Sequence, residues 1–200
     1  MYAESDLINK LSELDKEKQL LFGLLAAERF FISYKIFNQR EGFGNVVHLL
    51  EALSLIEKCV LGEQPENVIV EKYKALVDES TPDMDDFGSV NGSLALNVTV
   101  IIYELLNLID KGEKRILEDF STMGADSIDF LVLEIEDYDQ MDFDKISNHR
   151  LMKDELRIQN GIVSYLEKIE EVVAGDIDSL RLMQSDTEFS KLNLEEIFAE

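Results

Sequence analysis

Proline occurs twice in this 200-residue chain, histidine twice and cysteine once, and acidic side chains outnumber basic ones 42 to 19. Each scarcity excludes something. Two prolines and ten glycines leave little room for a disordered linker or a low-complexity tail. The lone Cys59 cannot form an internal disulfide, and its place in an apolar helical pattern marks it as a small core residue. A di-metal carboxylate centre needs Glu-x-x-His pairs on facing helices. Here His48 precedes Glu51, the reverse order, and His149 has no ligand three residues away, so no metal or other cofactor is expected. The most apolar run, Leu94 to Ile109, is interrupted by Asn97, Glu104 and Asn107 and falls short of a bilayer span. The polar, acidic N-terminal segment is unlike a secretory signal. These absences point to a cytoplasmic protein.

What is abundant is negative charge. A net charge of −23 opposes phosphate backbones and anionic membranes, so neither nucleic acid nor membrane is an expected partner. The same field speeds encounter with a basic protein, by an amount that falls as salt rises. The simpler use of such a surface is solubility.

Apolar residues make up 46% of the chain, enough for a self-sufficient core in one domain spanning residues 1–200. Nearly every segment carries the 3.6-residue period and none alternates as a strand, so the expected fold is all-α: a compact helical bundle of about seven to eight helices with two central apolar ones. The spacing predicts helices near 3–14, from a cap at Asp15 to about Asn38, from Asn45 to a stop at Gly62, and from a first turn containing Pro65 to Val77. Residues 79–92 read as a loop and Ser93 as the cap of a helix over 94–111 that Gly112 ends. A sixth helix follows to about Ile135, with Ile116, Phe120, Met123, Leu131 and Ile135 on one side. A seventh runs from about Asn148 to Val173, Gly175 ends it, and a short helix covers 176–183. Residues 185–200 read as a loosely docked tail. The run from Glu136 through Asp137, Asp139 and Asp142 to Asp144 contains no glycine, so it is not an EF-hand loop but a solvated acidic one.

Two blocks of sequence stand out. The first is Glu28-Arg29, Tyr34, Phe37 and Phe43-Gly44; the second is Pro82 with Asp85-Asp86-Phe87, leading into the long apolar helix that contains Glu104. Together with the helix order, over residues 5–175, they make the chain resemble the YjaG-like family of bacterial proteins (domain of unknown function 416). The resemblance implies no catalytic residues. The family often carries an acidic residue where this chain has Asn97, which weighs against paired carboxylates on that helix.

By physics, the best site candidates are charges inside apolar helices, which must be paired or cost several kcal/mol. Glu28, Arg29 and Glu104, with Asn97 on the Glu104 face, meet that description. One reading is structural, with Arg29 paired to Glu104 or to carbonyls of the 79–92 loop. The other is a ligand-binding polar pocket between the two central helices. No Gly-x-Ser-x-Gly, Cys–His or phosphate-loop pattern is present, so the expectation is not an enzyme. The leading functional expectation is a non-enzymatic acidic protein-interaction module, one version of which neutralises a basic protein. The alternatives are a small-molecule-binding protein or enzyme built on those four residues, and a homo-oligomer whose acidic surface serves solvation.

Overall fold

A computed structural model describes residues 5–112, 116–136 and 143–199. Among them are ten α-helices and no strand: α1 Ser5–Glu13, α2 Lys16–Glu41, α3 Val46–Val60, α4 Asn67–Asp78, α5 Val90–Lys111, α6 Ile116–Glu136, α7 Phe143–Asn148, α8 Arg150–Leu166, α9 Ala174–Ser185 and α10 Leu194–Ile197. The all-α bundle expected from periodicity is therefore the fold, and α2 and α5 are its central pair.

The two central helices pack more extensively on each other than any other pair does. The sequence explains why α2 can sit in the middle. Leu20, Leu21, Phe22, Leu24 and Leu25 are all buried although they point in every direction around the axis, so each side of the helix meets a neighbour. Gly23 lets α5 and α6 come close: a Cβ there would fall 2.6 Å from Leu105 Cδ2 and 3.0 Å from the Phe120 ring. At about 1.5–3 kcal/mol per fully buried large apolar side chain, this pair makes a large favourable contribution to folding. Helix α5 is long and apolar enough to cross a membrane, more so than the interrupted 94–109 run suggests, but it packs here against α2, α3, α4 and α6.

Several helix ends follow their caps as expected. The Asp15 side chain accepts from Lys18 N at 3.0 Å, and that of Asn45 from Val47 N at 3.0 Å. After α3, Gly62 N–H donates to Cys59 O and Glu63 N–H to Lys58 O, both at 3.0 Å, the paired bonds of a Schellman stop. The segment Ser127–Glu136 is helical, as its 3.6-residue spacing predicts.

Other boundaries correct the sequence reading. The cap of α5 is Ser89, whose Oγ accepts from Gly92 N at 3.0 Å, whereas Ser93 Oγ donates back to Ser89 O. Asn91 and Gly92 are buried helical residues, and Gly92 lies so close to the Phe87 backbone that a Cβ would collide with it, so tertiary packing overrides their turn chemistry. Pro65 lies before the N-cap of α4, Glu66, rather than inside its first turn. Ile135 is 38% exposed. Helix α8 begins at a His149 cap and ends at Leu166, not Val173. Beyond it Asp176 takes over, accepting from Tyr165 Oη at 2.7 Å and from Val173 N at 2.9 Å, so Gly175 opens α9 rather than closing α8. The C-terminal tail is firmly seated: Phe189, Leu194 and Phe198 are buried, and Phe189 packs edge-on against Phe30 with ring centroids 4.9 Å apart. Of the acidic run, residues 137–142 lie outside the described residues.

Candidate functional site

The two sequence blocks meet at one corner. Tyr34 Oη donates to Ser80 O at 2.9 Å, while Phe87 packs against Phe37 (5.2 Å) and Phe43 (4.8 Å). A Cβ at Gly44 would strike Tyr34 Oη, so this glycine is what lets the chain turn there. The motif residues thus build a corner joining α2, the 42–45 turn and the 79–89 segment.

Arg29 does not take part in that corner. Five residues at about 100° each place it roughly 140° around α2 from Tyr34, on the side facing α8 and α9. There its Nη2 donates to Glu155 Oε1 at 2.6 Å and its Nη1 to Gln184 Oε1 at 3.0 Å. Neither Glu104 nor the carbonyls of the 79–92 loop are among its partners, which corrects the expected pairing. Glu155 also accepts from Gln159 Nε2 at 2.7 Å, and Gln159 is held in turn by Ser121, whose Oγ donates to Gln159 Oε1 at 2.6 Å and whose carbonyl accepts from Nε2 at 3.1 Å. All five side chains are buried. Gly124 leaves room for them, since a Cβ there would lie 2.7 Å from Glu155 Oε1 and 2.9 Å from Gln159 Nε2. A buried ion pair that feeds such a network is costly to break from one side.

Glu28 points about 100° away from Arg29 and has a different partner. Arg181 of α9 donates from Nε to Glu28 Oε2 at 2.9 Å and from Nη2 to Glu57 Oε2 at 2.7 Å, bridging α2, α3 and α9. The hydrogen bond to Glu28, then that to Glu57, hold the guanidinium proton still more firmly than usual. Asn97 and Glu104 lie elsewhere: Asn97 Nδ2 donates to Ser127 Oγ at 3.0 Å, and Glu104 accepts from Asn107 Nδ2 at 3.2 Å. The four expected site residues therefore do not converge: Arg29 and Glu28 turn toward α8 and α9, and Asn97 and Glu104 find partners on α6 and within α5.

A cavity of about 490 Å³ lies instead between α2 and the segment from α9 to α10. Arg29, Arg181 and Gln184 line it together with Ile32, Ile36, Phe189 and Leu194. Glu155 was legible as a carboxylate at a core position, since it continues the buried series Leu151, Ile158 and Ile162. Arg181 and Gln184 gave no such signal, because α9 is short and mixed in polarity.

Burial pushes the Cys59 thiol up, against a smaller opposing influence from Lys16. His48 sits 3.2 Å from the Asn45 amide, and His149 Nδ1 caps α8 by accepting from Leu151 N. Among the described residues no three His, Cys, Asp or Glu side chains are grouped to hold a metal ion.

One acidic edge is formed by α4 and the turn after it. Val70, Lys74 and Val77 face the core, leaving Val68 (69% exposed), Glu71, Lys72, Ala75 and Glu79 outward. Asp78, Asp83, Asp85 and Asp86 are exposed beside them. Of these carboxylates, Glu71 alone forms an ion pair among the described residues, with Lys74 at 2.8 Å.

Fold and site together define an all-α bundle with a central apolar helix pair and a mostly apolar cavity, set with a few polar groups, under its C-terminal segment. The chain belongs to the DUF416 family, proteins of unknown function, whose family model matches residues 6–195. The crystal structure of a DUF416 family protein from Shewanella baltica OS155 has the same fold, with a TM-score of 0.77 at 20% identity over 88% of this chain and 92% of that one. Comparison with curated proteins finds no match.

Proposed function

We propose that the protein is a non-enzymatic interaction module that binds a basic protein partner through the edge formed by α4 and the turn at residues 79–89. The observation that carries this reading is the composition of that edge. Exposed Val68 and Ile69 supply apolar contact, and the exposed Glu79, Asp83, Asp85 and Asp86 supply a negative field with little internal neutralisation. Helix α4 packs mainly on α3 and α5, so its outer side is free to meet another surface. A partner surface rich in lysine and arginine suits it, because complementary potential raises the encounter rate and selects against acidic competitors. A second copy of the chain is a poor match, since two bodies of charge −23 repel.

The test is affinity capture at low salt with salt-step elution, repeated with Glu79, Asp83, Asp85 and Asp86 changed to their amides. A basic protein retained by the native chain should associate about tenfold more slowly with the amide variant at low salt, and the two chains should converge as salt rises. Binding that ignores both ionic strength and these four carboxylates would overturn the proposal.

A further inference from the structure

The cavity between α2 and the C-terminal segment differs from four smaller ones among the described residues in the sign of its lining. Arg29 and Arg181 face one carboxylate, Glu195, so cations exceed anions there. Four smaller cavities are each lined by more carboxylates than cations. On a chain of charge −23, this is a local inversion. Both guanidinium groups are already engaged, however, Arg29 by Glu155 and Arg181 by Glu28 and Glu57, so the cavity is not a bare cation trap.

Beside Arg29 Nε, which is buried without a hydrogen-bond partner among the described residues, Gln184 supplies a further unengaged donor. It is 92% buried on the cavity wall, and its Oε1 accepts from Arg29 Nη1 at 3.0 Å. A guanidinium donates and cannot accept, so this bond fixes which end of the amide meets Arg29. The Nε2 end then faces away from Arg29 and makes no hydrogen bond among the described residues. Two N–H donors are thus held in place by a buried ion pair. Ile32, Ile36, Phe189 and Leu194 supply apolar wall around them. Concave, largely apolar space of a few hundred Å³ with a small number of fixed donors is the usual form of a small-ligand site.

We propose that this cavity binds a small carboxylate-headed amphiphile, its carboxylate oxygens accepting from Gln184 Nε2 in the field of the two arginines and its hydrocarbon body lying against Ile36, Phe189 and Leu194. The site is separate from the α4 edge and stands or falls independently of it. Its position also differs from a pocket between α2 and α5.

Decanoate below its micelle concentration is the probe, with decanol and decyltrimethylammonium as neutral and cationic counterparts of equal chain length, and binding is read by titration calorimetry on the full chain. Decanoate should bind saturably at one site and at least about tenfold more tightly than either counterpart. Gln184→Glu should keep the bond to Arg29, retain the melting temperature, and weaken decanoate binding at least about tenfold, because it replaces the amide donors with a second carboxylate. Ile32→Glu, at a cavity residue 44% exposed and therefore safe for folding, should weaken it as well by placing like charge at the mouth. Equal binding of decanol or the ammonium probe would overturn the head-group assignment. Decanoate binding that survives both substitutions, or no saturable binding to the native chain, would overturn the site.

Discussion

The two sides of α2 are built on opposite principles. Toward α5 the helix presents apolar side chains and Gly23, and the contact is dense enough that a Cβ at that glycine would collide with Leu105. Toward α8 and α9 it presents Glu28 and Arg29, each engaged by a partner far along the sequence, and Arg29 lines a cavity of about 490 Å³. The first side gains stability from area removed from water, which is non-directional and tolerates exchange among apolar residues of similar size. The second side depends on geometry, since each buried charge costs several kcal/mol unless its partner is in place. One helix therefore carries two kinds of interface, one held by non-directional packing and one by directed ion pairs.

The sharpest way to break this contrast is to place a charge on the apolar side. Ile101 of α5 is fully buried, and Ile101→Asp introduces a carboxylate with no partner designed for it. The expected outcome is loss of the cooperative thermal transition seen by circular dichroism; a melt unchanged from the native chain would remove α5 from the centre of the core. On the polar side, Arg29→Met should destabilise by about 3–5 kcal/mol, because it strands Glu155. The double variant Arg29→Met, Glu155→Leu should recover most of that loss, as removing both charges together often does. Denaturant midpoints of the two single variants and the double complete the cycle. Additive effects would show that the pair is not coupled and would undo the contrast.

A milder probe separates the buried pair from the half-exposed one. Arg181 is about one-third exposed, and its carboxylates Glu28 and Glu57 remain in contact with solvent once it is removed. Arg181→Met should therefore cost about 1 kcal/mol, and less in high salt. A loss as large as that of Arg29→Met would mean that α9 is anchored by this bridge rather than by Ile177, Leu180 and the Arg29–Gln184 bond.

How much of this was legible beforehand follows the same division. The apolar side could be read directly, because a helix carrying leucine and phenylalanine at nearly every position has nowhere to lie but the centre. The charged residues Glu28 and Arg29 were legible as anomalies in that helix, but their partners were not. Arg29 finds Glu155 across 126 residues of chain and Glu28 finds Arg181 across 153, and no local spacing encodes such pairings. Glu104 looked like a partner because it interrupts the other apolar helix, yet it lies on a half-buried face where Asn107 satisfies it. The cap of α5 was misplaced for a related reason. Ser93 has the better local sequence, and tertiary burial of Asn91 and Gly92 moves the helix start to Ser89.

The smallest effect concerns a half-buried carboxylate in an environment unlike that of Glu155. Burial and then the like charge of Asp129 push the Asp126 carboxyl above its usual range. A carboxyl whose folded value is raised binds its proton more tightly in the native state. Its contribution to stability is therefore fully present below the ordinary aspartate value near about 4, and is lost as pH rises through the folded value. Asp126→Asn keeps the shape and removes the charge, so it should raise the melting temperature slightly at pH 7 and make no difference at pH 3. Glu155→Gln at the guanidinium-paired position should do the opposite at pH 7 and lower the melting temperature, because it leaves Arg29 without its counter-charge. If both substitutions moved the melting temperature in the same direction at pH 7, the distinction between a carboxylate built into a pair and one merely enclosed by packing would fail.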